Sequence, residues 1–382
     1  MYRGNPRPGS PGNPLRGRGR ERRKRNSRVT PLHSQAPRLV LKVDVDTFSG
    51  TREGVPRLLE LFEREGVRAT FFFCLGPDNT GKAVKRVFRK GFVKKVLRAS
   101  PAASYGLANM LYGTLLPAPD IGRDPRAIAA MRAVAAAGHE CGIHGWDHVD
   151  WHDRLPRMDG AEVRETVGKC HARFREIFGE AARVSAAPGW TATGESVEAQ
   201  EAAGIEATSD SRGGPPFHPL KPDGTPAGYV EIPSTLPTLD ELLASDEFGA
   251  SAAAREGTAG ELCRLVRDAG GLHVHSIHTE IEGGRALHAL FARQLQAWKG
   301  AGVRFVTLGE AARNLRAPGS GVPARPLVFG TLPGRATLVA MQGAGVSLDS
   351  MRFPRSEPGL DISAGRRRGG GRGGRGTSLE RP

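Results

Sequence analysis

From residue 38 to about 315, short apolar runs alternate with longer stretches whose apolar positions recur every three or four residues. A run of four to eight apolar residues bounded by turn signals reads as a strand buried on both faces. The 3.6-residue period reads as an amphipathic helix. On this basis residues 39–43, 69–74, 139–143, 183–187, 205–208, 272–277 and 303–307 predict seven strands. Helices are predicted through Leu58, Leu59, Leu61 and Phe62 up to Gly66, and near 126–137, 160–178, 195–203, 258–269 and 285–300. Strands alternating with helices imply a parallel sheet. No GxGxxG follows the first strand, so a dinucleotide-binding sheet is not signalled. The expected fold is α/β, a distorted (β/α) barrel of about seven parallel strands with its site at the C-terminal strand ends.

The insertion 77–122 breaks the alternation. It contains Lys82, Lys85, Arg86, Arg89, Lys90, Lys94, Lys95 and Arg98, with no acid between Asp78 and Asp120, interleaved with Val84, Val87, Phe88, Phe92, Val93, Val96 and Leu97. A helix that is merely solvated usually carries mixed charge. A basic amphipathic pattern suits an anionic membrane surface, and Lys85, Arg86, Phe88, Arg89, Lys90, Phe92, Lys94 and Lys95 are the candidate membrane-binding residues.

The formal net charge of +15 lies at the ends of the chain. Residues 1–37 carry ten Lys/Arg against Glu21 alone, and residues 317–382 carry ten Arg against four acids, which leaves the middle neutral. Both ends are rich in Gly, Pro and Arg, a composition that cannot bury enough apolar surface to order itself. The expected organisation is a disordered basic tail at 1–37, a barrel domain at 38–316 and a disordered tail at 317–382. Cys74, Cys141, Cys170 and Cys263 lack CxxC spacing and read as reduced, mostly core residues of a cytoplasmic protein. No run is apolar enough to span a bilayer, and no apolar segment follows the N-terminal basic residues, so no export signal is expected.

The candidate chemistry starts at the end of the first strand. Side chains two apart on a strand point the same way, so Asp44 and Asp46 project together. Two carboxylates at close range cannot both stay ionised unless a cation joins them. His144-Gly145-Trp146-Asp147-His148 ends a later strand. Two histidines four residues apart on a helical turn, with one carboxylate, make a three-ligand metal shell that leaves a position open for water. Such a shell suits a divalent ion, Zn²⁺, Mn²⁺ or Co²⁺. Ala187-Pro188-Gly189-Trp190 is a tight turn whose N–H groups could receive an oxyanion. Ser209-Asp210-Ser211-Arg212 offers an acid and a cation, and His278-Thr279-Glu280 brings a histidine to the end of a late strand.

With these motifs in order, the chain resembles the polysaccharide deacetylase (NodB-homology) family of metal-dependent amidases and esterases. Asp44–Phe48 with Gly50–Pro56, Gly76–Asn79, His144–His148, Ser209–Gly213 and Ile277–Gly283 resemble its 4-deoxy-4-formamido-L-arabinose-phosphoundecaprenol deformylases, over about residues 38–315. The resemblance implies Asp44 as general base, Asp46, His144 and His148 as metal ligands, and His278 as general acid. Gly189, Trp190 and Glu280 are the candidates for the oxyanion and substrate. The broader family often has an arginine two residues before the third-motif proline to steady the base; here that position is Ala186. Arg212 could supply the charge and Asp210 could orient His278, or the two roles could be exchanged.

The reaction implied is hydrolysis of the formamide on a sugar joined through phosphate to a polyprenyl lipid, releasing formate. The amino sugar then goes to lipid A, which confers resistance to polymyxin and other cationic peptides. Such an enzyme is expected on the cytoplasmic face of the bacterial inner membrane, with an anionic surface as partner and without nucleic acid. Deacetylation of peptidoglycan or another N-acetylated glycan is an alternative, although such enzymes usually act outside the cytoplasm. A second alternative is an RNA-binding protein acting through its Arg/Gly tails, against which Asp44, Asp46, His144, His148 and His278 all argue.

Overall fold

The computed structural model describes residues 36–87, 111–244, 252–316, 320–332, 335 and 337–344. Its centre is β1, Arg38–Val45, an eight-residue strand buried almost throughout. The other strands are β2 Thr70–Cys74, β3 Glu140–Gly145, β4 Val184–Ser185, β5 Ala207–Thr208, β6 His218–Pro219, β7 Val230–Glu231, β8 Leu272–His278, β9 Arg304–Val306, β10 Ala324–Arg325, β11 Leu327–Gly330 and β12 Val339–Gln342. Strands β7-β5-β4-β3-β2-β1-β8 form one sheet in that order, with β9 added beside β1. Every pairing in this sheet is parallel.

The sheet curls into the expected irregular barrel. The segment after β7 approaches β8, where Thr235 and Leu236 both donate backbone bonds to the Val274 carbonyl. Alternation along β1 separates two cores. Leu39, Leu41, Val43 and Val45 pack outward under the helices, together with Phe71 and Phe73. Val40 points inward with Phe72, Val184, Ala207, Val230, Val274 and Val306 and fills one end of the barrel. By the same alternation Lys42 and Asp44 are the next inward positions, and both are buried.

The seven predicted strands are present, and β7 adds an eighth. Its two residues, Val230 and Glu231, are too short to leave an apolar run. The long helices lie where periodicity placed them, at Pro125–Ala136, Gly160–Phe178, Gly194–Ala202, Ala252–Ala269 and His288–Gly300. One part of the C-terminal segment 317–382 departs from the expected disorder. Strands β11 and β12 form an antiparallel hairpin, and β10 pairs with β6. Leu327 and Ala340 give this hairpin an apolar side, and they pack with Ala187, Phe217 and Tyr229.

The insertion 77–122 leaves and returns at neighbouring points, because Pro77 bridges Asp120. Its described part includes a helix at Thr80–Val87. Phe88, Arg89, Lys90, Phe92, Lys94 and Lys95 lie outside the described residues, as do the side chains of Lys85 and Arg86.

Candidate metal centre and active site

Two strand ends and the start of a helix converge on one point. Asp46 follows β1, His144 lies in β3 and His148 opens the helix His148–Arg154. One ligand atom from each lies within 4.8 Å of the others. The two histidines do not share a helical turn, contrary to expectation. Gly145 takes a φ of 111°, a conformation open to glycine, and turns the chain out of the strand. Asp147 then caps the new helix, its side chain accepting from Val149 N and Asp150 N.

Second contacts fix the ligand orientation. His144 Nδ1 lies 2.8 Å from the Ala186 carbonyl. A carbonyl only accepts, so Nδ1 carries the proton and Nε2 presents its lone pair. That lone pair meets Asp46 Oδ1 at 3.1 Å, while His148 Nε2 lies 3.6 Å from Asp46 Oδ2. Two facing acceptors at this distance need a cation between them, and the donor set of two imidazoles and a carboxylate suits a divalent metal. Burial pulls His148 down to about 4, which keeps its ring neutral as a ligand requires.

Asp44 and His278 stand side by side, because the register of β1 and β8 pairs them directly. Asp44 Oδ2 accepts from Lys42 Nζ at 2.6 Å. Its other oxygen is buried without a hydrogen-bond partner and lies 3.8 Å from His144. The positive charge beside Asp44 thus comes from Lys42, two residues earlier on the same inward face of β1. Arg212 does not supply it. Its Nη1 bonds both oxygens of Glu241 at 2.8 and 3.1 Å, and its Nη2 bonds the Leu236 carbonyl.

Asp210 lies on the loop after β5. It is buried beside Glu231 and Gln200, and desolvation together with the Glu231 charge pushes its pKa up to about 7. The carboxylate facing His278 is Asp240, 3.8 Å from Nδ1 and exposed on its other side. His278 is further anchored by its backbone N–H, which donates to Glu282 at 2.8 Å. The other two histidines of β8 have structural roles. His273 bonds the Gly270 carbonyl, and His275 packs its ring against Trp298.

Glu280 is buried, and Thr47 donates to it through both its N–H and its hydroxyl, which ties the loop after Asp46 to the end of β8. Desolvation and the nearby Asp46 charge push Glu280 up to about 8. Gly189 has φ 59°, and a side chain there would collide with His152. Trp190 also has a positive φ, 52°, which costs a bulky residue about 1–3 kcal/mol. Its surroundings repay that cost. Trp190 Nε1 donates to Ser234, and Lys42, Arg212 and Arg335 stand over the indole at 4.8, 4.8 and 4.3 Å. The His278 imidazole meets the same indole edge-on, with ring centroids 6.4 Å apart.

Sequence reasoning missed Lys42, Asp240, Glu231, Glu241 and Arg335. Thr238-Leu239-Asp240-Glu241 carries a signal that could have found two of them. Thr-x-x-Glu is a capping box, and Thr238 N does donate to Glu241 at 3.0 Å ahead of the helix Leu239–Ala244.

A cluster of Asp, His and His at the strand ends of an irregular barrel is a donor set that suits a divalent metal with an open position for water, as in metal-dependent hydrolases. The chain belongs to the polysaccharide deacetylase family, whose pattern it matches over residues 35–208. Two curated relatives narrow the comparison. One, from Shewanella sediminis (strain HAW-EB3), is the probable 4-deoxy-4-formamido-L-arabinose-phosphoundecaprenol deformylase ArnD; it is 38% identical over 244 residues, 64% of this chain and 75% of the relative. The protein of the same name from Wigglesworthia glossinidia brevipalpis is 30% identical over 236 residues, 61% of this chain and 79% of the relative. The crystal structure of a polysaccharide deacetylase homologue from Mycobacterium smegmatis has the same fold, with a TM-score of 0.51 at 19% identity over 78% of this chain and 99% of that one.

Proposed function

We propose that the chain hydrolyses the formamide of 4-deoxy-4-formamido-L-arabinose linked to undecaprenyl phosphate, releasing formate and the 4-amino sugar lipid that modifies lipid A. The observation that carries this reading is the convergence of Asp46, His144 and His148 beside a paired base and acid, Asp44 and His278. The curated relatives supply the substrate, and neither the glycan deacetylase nor the RNA-binding alternative gains support.

Asp46, His144 and His148 would hold a divalent ion, which when bound polarises the amide carbonyl and lowers the pKa of water from about 16 to about 7. The residues of the chain do the rest. Asp44, held by Lys42, takes a proton from the attacking water, and water's oxygen joins the formyl carbon. His278 gives a proton to the sugar nitrogen as the C–N bond breaks, and Asp240 stabilises the charge on its ring. Gly189 N–H faces the developing oxyanion at the turn that also positions Trp190.

The barrel works at the cytoplasmic face of the inner membrane, since the polyprenyl chain of the substrate stays in the bilayer. Among the described residues no helix is long and apolar enough to cross a membrane. The insertion docks the barrel instead. At its described end Leu115 and Leu116 are adjacent and exposed, at 80% and 41%. Tyr112 packs edge-on against Phe48 in the loop after Asp46, a contact that supports a position for this end of the insertion near the rim of the site.

Elemental analysis of protein purified without chelator, paired with an assay for formate release from the formamido-arabinose lipid, tests the proposal. About one divalent ion per chain and release of formate are expected. A metal-loaded protein that releases no formate would overturn the substrate assignment.

A further inference from the structure

We propose that Arg335, carried to the site by the C-terminal hairpin, binds the phosphate of the substrate. The inference rests on the reading in which the substrate is a sugar phosphate. The hairpin is tied to the active-site loop, since Arg212 N donates to Ala340 O and Gln342 N donates to Arg212 O. It thereby brings a cation to the site from beyond the residues that match the family pattern.

The guanidinium is oriented before any ligand arrives. Its Nε donates to Glu241 Oε1 at 2.7 Å, and its plane stands over Trp190 at 4.3 Å. Among the described residues Nε makes its only side-chain hydrogen bond, which leaves the Nη pair as a fork for two oxygens of one anion. The side chain is 17% exposed, enough for a ligand to reach it.

The neighbouring charges are already committed. Lys42 is paired with Asp44, and Asp240 faces His278. Glu241 is ion-paired with both guanidiniums, those of Arg212 and Arg335, and the charge of Asp240 also acts on both. Arg212 is buried with Nη1 on Glu241 and Nη2 on Leu236, so Arg335 is the member of the pair that can take a further anion. Placement agrees with the substrate. Arg335 and the acid His278 contact the same indole, and in a 4-formamido sugar 1-phosphate the reacting nitrogen and the phosphate lie across one pyranose ring.

The test compares wild type, Arg335→Ala and Arg335→Lys on two substrates: the geranyl phosphodiester of 4-formamido-L-arabinose and its neutral methyl glycoside. A charge-assisted pair is worth roughly ten- to a hundredfold in binding. Arg335→Ala should raise KM for the phosphodiester by at least about tenfold with a much smaller change in kcat, and Arg335→Lys should recover part of it. The wild-type preference for the phosphodiester over the methyl glycoside should collapse. A preference that survives in Arg335→Ala overturns the inference and makes Arg335 a support for Trp190 and Glu241. A second arm does not depend on turnover: calorimetry with geranyl L-arabinosyl phosphate, which has no formamide, should show affinity reduced by at least about tenfold in Arg335→Ala. If wild type releases no formate, the deformylase reading fails, and this binding arm alone decides for or against Arg335. Equal affinity in wild type and variant overturns it.

Discussion

The two sides of the barrel are built differently. On one side β1, β2, β3 and β8 are five to eight residues long and packed between apolar layers, and the C-terminal ends of β1, β3 and β8 carry Asp44 and Asp46, His144, and His278. On the other side β4, β5 and β7 have two residues each. There the loops are held by buried polar groups. Glu231 accepts from Thr208 Oγ1, Asp210 N, Ser211 N and Ser211 Oγ, and Glu241 joins Arg212 to Arg335. Chemistry that needs fixed geometry stands on long strands, whereas substrate shape is left to loops tied by a few carboxylates. Substitutions on the first side should therefore remove activity, and those on the second should loosen the fold or alter recognition.

The largest effect is expected from Asp44→Asn, which should lower kcat at least about a thousandfold while elemental analysis finds the metal still bound. Loss of metal in that variant would mean that base and ligand had been interchanged. His144→Ala and His148→Ala should each lose most of the bound metal and with it turnover; full occupancy in both would sink the metal assignment. On the loop side, Glu231→Ala leaves the Asp210 and Ser211 N–H groups buried without their acceptor, and should cost about 2–4 kcal/mol in urea unfolding. A stability within about 0.5 kcal/mol of wild type, the spread of ordinary surface changes, would erase the contrast between the two sides.

Lys42→Met keeps the length of the side chain and removes its charge. It should lower kcat by roughly ten- to a hundredfold with metal content unchanged, because Asp44 loses its only side-chain donor among the described residues. An unaltered kcat would show that Lys42 fills the barrel without steadying the base. The smallest effect is expected from Gln at Lys85, Arg86, Arg89, Lys90, Lys94 and Lys95 together. Binding to anionic vesicles and turnover of the full lipid should fall several-fold, each charge contributing about 1 kcal/mol before screening. Equal losses on a short-chain, water-soluble substrate would place the insertion in the active site and not on the membrane.

Legibility in the sequence followed the same division. Asp44-Val45-Asp46 and His144–His148 could be read because their residues are close in sequence and stand at the ends of apolar runs. His278 was found in the same way. Lys42 was hidden within such a run, where a lysine reads as an interruption, although alternation along β1 turns it inward with Asp44. Asp240 and Arg335 reach the site only through tertiary pairing, Asp240 from a six-residue helix and Arg335 from a segment whose glycine- and arginine-rich composition suggested disorder. Composition averaged over 317–382 obscured the short apolar strands Leu327–Gly330 and Val339–Gln342.

The Lys42–Asp44 pair gives the proposed base a second duty as the counter-ion of a lysine sealed inside the barrel. Removing one partner of a buried ion pair costs about 3–5 kcal/mol, whereas replacing both with apolar residues of similar volume is often nearly neutral. A chain that loses Asp44 alone therefore carries an uncompensated interior charge in addition to its lost activity. Drift toward an inactive barrel meets a stability barrier at its first step. Changing Lys42 first meets the same barrier, since buried Asp44 is then the unpaired charge, and the double variant Lys42→Met with Asp44→Asn should be more stable than Asp44→Asn by itself.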